Sequence, residues 1–206
     1  MNYSDSLKYI WWGIGACGSG TMSQTLQLDF DLKCNNSRNT RGIPEGKEDY
    51  TLIVNVRNPY TWELSSYLDL VNGPEEKWQD GMFEQYLYEG GNETIINQVD
   101  LWEERMPDYF IRCEDMYSEI LKIPNLANHK PPRSWNNIKD RLSNPAYRGK
   151  NSKARKPISE DILSAYWTKD LVKKYSGRYE ELFKITGYNT DSWKTGIHWD
   201  GWEPLK

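Results

Sequence analysis

Four glycines at positions 13, 15, 18 and 20, with hydroxyls at Ser19 and Thr21 among them, are the residues of this chain best suited to hold an anion. Glycine tolerates a positive φ and has no side chain, so backbone N–H groups in such a stretch can line a concavity and come close to a bound oxyanion. Tyr9, Ile10, Trp11, Trp12 and Ile14 form a short β-favouring run ahead of the glycines, and helix-compatible residues resume at Met22. The order is strand, loop, helix, and the helix N-terminus adds its partial positive charge at the same place. The chemistry expected is the binding of a phosphate. Gly15 and Gly20 have the four-residue gap of a Walker loop, yet Thr21 and Met22 follow where that pattern has Lys and then Ser or Thr. The lysine that serves a nucleoside triphosphate is missing. A glycine-rich turn without a ligand remains the alternative for this stretch taken alone.

Arg57 and Asn58 stand at the carboxyl end of a second run, Tyr50 to Val56, which is β-branched and apolar except at Asn55. Such a run is expected for a central parallel strand covered on both faces. Ligands of open α/β sheets sit outside the carboxyl ends of the strands, so Arg57 and the glycine loop are expected to open onto one crevice. Pro59 suits the first turn of a helix reaching to about Val71, and Ser65 falls on that helix.

The elements that position these groups fit one α/β domain over 1–206, since 206 residues suffice for one core and are too few for two comfortable domains. Ten Trp and fourteen Tyr make that core aromatic-heavy and argue against disorder. Cys17, Cys34 and Cys113 are odd in number and lack CxxC spacing, which argues against a disulfide framework and a zinc site and fits a reducing compartment. No basic n-region and no apolar run of membrane-spanning length occurs, so a cytoplasmic protein without a membrane partner is expected. The net charge of −4 is uneven: positions 130–156 hold nine Lys or Arg against Asp140 alone. That block suits a solvated surface, a nucleic-acid arm, or a lid over an anionic ligand.

Along the chain, a first helix is expected over about Thr21 to Leu28, then a polar loop from Asp29 to Asp49. After the Pro59 helix, helical patterns cover Glu75 to Tyr88 and Glu93 to Glu104. Tyr109 to Cys113 is a further short strand, and Asp115 is placed to cap a helix over Met116 to Lys122. Pro124 to Pro157, with five prolines and the basic block, is expected to be a long irregular connection. Ser159 with Glu160 and Asp161 opens a helix to about Tyr175; Tyr179 to Ile185 forms the last, closed by Gly187.

The segment VRNPYTWELSS, Val56 to Ser66, resembles the 3′-phosphate-binding segment of the sulfotransferases, in which an Arg ends a strand and a Ser lies eight residues on in the next helix. Here the pair is Arg57 and Ser65, whose guanidinium fork and hydroxyl suit a single phosphate. Beside it, Gly15 to Thr21 is similar to the 5′-phosphosulfate loop, FIRCEDM to the strand-and-acid segment near the family's middle, and Lys150 to Leu171 to the carbohydrate-type C-terminal part. The resemblance implies a P-loop-type three-layer αβα sandwich with a mainly parallel central sheet. It implies 3′-phosphoadenosine 5′-phosphosulfate as donor, adenosine 3′,5′-bisphosphate as product, and a hydroxyl or amine of a carbohydrate or small molecule as acceptor, with neither metal nor nucleic acid.

By the same resemblance Gly15, Cys17, Gly18, Ser19, Gly20, Thr21 and Met22 hold the 5′ end, Arg57 and Ser65 the 3′-phosphate, and Lys150, Asn151, Lys153 and Arg155 form a cover. One departure is visible: Ala16, Cys17 and Gly18 occupy positions where the family has a Lys or Arg that stabilises the leaving phosphate. Arg38, Arg41, Lys47 or the 150–156 stretch are the candidates to supply that charge. His129 is the first candidate for the general base, with Glu45, Glu48 and Glu114 as carboxylate rivals. A P-loop-type kinase and a catalytically silent nucleotide- or RNA-binding protein stay open beside the sulfotransferase.

Overall fold

A computed structural model describes residues 2–15, 17–34, 42–70, 82–97, 99–100, 102, 105–143 and 158–194. In chain order the elements are β1 (Asn2–Ser4), β2 (Tyr9–Trp12), α1 (Ser19–Asp29), β3 (Lys33–Cys34), β4 (Thr51–Val56), α2 (Pro59–Leu70), α3 (Met82–Tyr88), α4 (Glu93–Ile96) and β5 (Tyr109–Arg112). A 3₁₀ turn at Cys113–Asp115 leads to α5 (Met116–Leu121), α6 (Pro124–Ala127), α7 (Trp135–Ser143), α8 (Glu160–Tyr166), α9 (Lys169–Tyr175), a second 3₁₀ turn and α10 (Glu180–Thr186). The chain forms two compact units: 1–57 with 106–154, and 58–105 with 155–206.

The first unit is an α/β unit with an open five-stranded sheet in the order β3-β1-β2-β4-β5. Its centre is parallel: Trp11 pairs with Ile53 and Trp12 with Val54, while Asn55 pairs with Ile111 and Val56 with Arg112. The apolar run of β4 thus lies between two parallel neighbours, as its composition requires. The antiparallel margin formed by β1 and β3 was not expected. Strands of two and three residues carrying Asn2, Ser4 and Lys33 give no periodic signal to read. Alternate residues Tyr9, Trp11 and Ile53, with Ile111, pack with Met22, Leu26 and Phe30 of the α1 region, with Met116 and Ile120, and with Ile138 and Leu142.

The 124–157 connection is corrected in part. Pro124–Ala127 and Trp135–Ser143 are helical, because Ile138 and Leu142 are core residues. Two cations in the described part of the basic block are also tied down. Arg133 grips the fully buried Asp29 carboxylate through two bonds of 2.7 and 2.6 Å, and Arg141 donates to Gln24. Those cations fasten the segment to α1.

The second unit is helical among its described residues. Asn58 caps α2, accepting the Tyr60 N–H at 3.0 Å through Oδ1 and donating to Ser192 at 2.6 Å. Tyr60 packs against Trp167 and Phe183, with centroids 4.9 and 5.3 Å apart, and its carbonyl accepts the Trp167 indole N–H at 3.0 Å. The helix expected to run from Ser159 to Tyr175 breaks at Trp167, where Thr168 caps a new helix. Beneath the 90–92 turn, Glu63 accepts the Asn92 N–H at 2.7 Å. Gly91 has φ +64, and a Cβ there would stand 2.0 Å from the Glu63 carboxylate, so only glycine fits. Among the described residues no helix is long and apolar enough to cross a membrane.

Candidate functional site

The glycine loop leaves the carboxyl end of β2 and enters α1 through Gly18, whose φ of +70 is left-handed. A Cβ at Gly18 would press on the Met116 sulfur at 3.1 Å, so conformation and space both require glycine there. Its carbonyl accepts the first helical bond from Met22 at 3.0 Å, and as the N-cap residue Gly18 has no side chain with which to cap the helix. The first N–H groups of an α-helix have no acceptor within the helix, so the start of α1 presents backbone donors beside the glycine loop. Gly15 and Gly20 have open space where a Cβ would project and no positive φ. Neither packing among the described residues nor backbone geometry requires glycine at these two positions.

Around the loop, Ser19 and Thr21 are buried near the α1 N-terminus, and Met22 faces the core, which leaves it only its backbone for a ligand. Cys17 is fully buried, and burial foremost, then the neighbouring Cys113 thiol, raises its pKa; the Arg57 guanidinium pulls the other way. The sulfur stays a thiol and is no nucleophile at neutral pH. The parallel registers align the carboxyl ends of β2, β4 and β5, so Arg57 and Glu114 follow the strands next to the one from which the loop leaves. Ser65, on the second turn of α2, belongs to the second unit and is buried there.

His129 is not brought to the loop. Its ring lies 5.8 Å from that of Phe30, the residue that closes α1, and the Phe30 carbonyl accepts the Tyr9 hydroxyl at the amino end of β2. The eleven residues of α1 separate that end from the loop by about 16 Å at 1.5 Å per residue. Glu45 and Glu48 share the wrong end, in the 44–50 turn before β4, where Glu48 accepts the Gly46 N–H. Lys47 is there too, donating to Asp5 at 2.6 Å. Lys33, Lys47 and Tyr50 together hold the Asp5 carboxyl well below the usual carboxylate range. Of the acids and cations weighed from the sequence, the described residues leave Arg57 and Glu114 near the loop. Arg38, Arg41, Lys150, Asn151, Lys153 and Arg155 lie outside the described residues. Among the described residues no cluster of three metal-ligating side chains occurs.

Two residues that matter went unread. Asn55, wholly buried on β4, donates through Nδ2 to the Cys17 carbonyl at 3.4 Å and accepts the Trp11 indole N–H through Oδ1. A lone amide in an apolar strand was its signal. Glu63 had none beyond its place among the aromatic residues of α2. Compared with models of protein families, with curated proteins and with solved structures, the chain matches none.

Proposed function

We propose that this chain is a sulfotransferase with a P-loop-type site, moving a sulfuryl group from 3′-phosphoadenosine 5′-phosphosulfate to a hydroxyl or amine of a carbohydrate or small molecule. The observation that carries it is the placement, within one unit, of a glycine loop that runs into the α1 N-terminus after β2 and of Arg57 directly after the adjacent parallel strand β4. That is the pairing of 5′ and 3′ anion holders on which the resemblance to the sulfotransferases rests. Backbone donors at Gly18, Ser19 and Gly20, the Ser19 hydroxyl and the α1 dipole suit the 5′ end. Arg57 answers the 3′-phosphate.

When bound, the donor supplies a sulfur–oxygen bond whose cleavage releases adenosine 3′,5′-bisphosphate. The residues' task is then electrostatic. Fixed amide dipoles of the loop and of the α1 N-terminus stabilise the negative charge growing on the leaving 5′-phosphate. Glu114, in the turn that follows the parallel strand β5, is the carboxylate assigned to take the acceptor's proton in place of His129. The ATP-using alternative is disfavoured because the residues after Gly20 carry no cation. The test is incubation with ³⁵S-labelled donor and a panel of sugars, phenols and amines. Label is expected to pass to a hydroxyl or amine acceptor, and Glu114→Gln to slow that transfer while leaving nucleotide affinity in place. Transfer of γ-phosphate from ATP to the same panel would overturn the proposal.

A further inference from the structure

We infer that Asn55 is the positioning residue that aims the loop's amides at the anion, an inference that rests on the reading of the loop as the 5′-end site. Asn55 is 0% exposed in the middle strand of the parallel centre, with Val54 and Val56 beside it. A buried primary amide is costly unless bonded. Its orientation follows from its partners: the Trp11 indole can only donate, so it must face Oδ1, which turns Nδ2 toward the Cys17 carbonyl 3.4 Å away. The chain has no cis peptide among the described residues, so the Cys17–Gly18 unit is trans and its N–H points opposite to its carbonyl. With that carbonyl drawn down onto the strand, the Gly18 N–H points away from the sheet, and the left-handed turn at Gly18 delivers the next amides from the start of α1.

Trp11, Asn55 and Cys17 thus form a line of hydrogen bonds from the interior of the sheet to the loop. Without the Asn55 donor the peptide unit is free to turn over, and a carbonyl oxygen would then face the anion in place of an N–H. A role limited to satisfying buried polar groups would affect stability alone. The two roles separate by ligand. Adenosine 3′,5′-bisphosphate uses the loop through its 5′-phosphate, whereas 3′-AMP does not.

Calorimetric titration of wild type and Asn55→Leu with both nucleotides tests this. The variant is expected to bind the bisphosphate about tenfold more weakly, one hydrogen bond's share of the affinity, and 3′-AMP as wild type does. Equal affinity of the two proteins for the bisphosphate, or parallel losses for both ligands, overturns the inference while leaving the nucleotide reading standing. A wild type that binds neither nucleotide overturns both. Should Asn55→Leu fail to fold, Trp11→Phe keeps the amide but removes the donor that fixes its orientation. The same selective loss is expected from it, and unchanged bisphosphate affinity overturns the inference.

Discussion

Replacing Arg57 by Ala separates a charge that merely ends a strand from one that binds. Arg57 is partly exposed at the carboxyl end of β4, beside a loop whose thiol feels its charge. A bidentate, charge-assisted contact to a 3′-phosphate contributes roughly 1.5 to 3 kcal/mol, which converts to about ten- to a hundred-fold in affinity. Partial exposure to water favours the lower part of that range. If Arg57 only terminates the strand, its removal changes stability by about 0.5 kcal/mol or less and leaves binding alone. Titrating wild type, Arg57→Ala and Arg57→Lys with adenosine 3′,5′-bisphosphate and with AMP reads the difference. The alanine variant should lose affinity for the bisphosphate and little for AMP. The lysine variant should recover only part of it, because an ammonium restores charge without the planar fork. An alanine variant that binds the bisphosphate like wild type would refute the assignment of this crevice.

Two further perturbations probe the framework. Glu63 is 1% exposed, and burial raises its pKa from an ordinary 4.5 to about 7, against opposing hydrogen bonds from Asn92, Tyr86 and Tyr179. A carboxyl raised on folding contributes stability that is complete below pH 4.5 and lost as pH rises through 7, about 3 kcal/mol at most. Unfolding free energies of wild type should therefore fall between pH 4.5 and 7.5 more steeply than those of Glu63→Gln, and equal slopes would refute the attribution. Arg133→Ala strands the Asp29 carboxylate, whose side chain is 0% exposed. Denaturant titration at pH 7 should show a loss of about 3 kcal/mol, whereas a loss under 1 kcal/mol would return Arg133 to plain surface charge.

What could be read beforehand was what local chemistry dictates. The β4 run announced a doubly covered parallel strand, Asp115 and Ser159 announced their caps, and Gly187 its left-handed helix end, all of which are present. Long-range pairing stayed illegible. β1 and β3 are too short and polar to show a period, and only the fold reveals that Asn2 faces Cys34. In 130–143 the eye is drawn to charge, although Trp135, Ile138 and Leu142 recur at helical spacing, and that apolar face is what packs. The position of His129 depends on where 124–134 docks on the end of α1, which no spacing in the chain encodes. The loop itself was legible because glycine is conspicuous. Its support, the buried amide of Asn55, lies thirty-eight residues away from Cys17 and belongs to tertiary structure.

The central claim is that the loop and Arg57 together recognise a nucleotide phosphorylated at both ends. Its most direct test is the thermal unfolding midpoint of the wild-type protein with adenosine 3′,5′-bisphosphate, AMP, ATP or a short oligonucleotide, each at matched concentration and two salt levels. A ligand present at a hundred times its dissociation constant adds about 2.7 kcal/mol. The bisphosphate is predicted to raise the midpoint clearly more than AMP or ATP and to keep most of that effect at the higher salt. Equal shifts from bisphosphate and AMP, or a larger shift from the oligonucleotide that vanishes with salt, would contradict it.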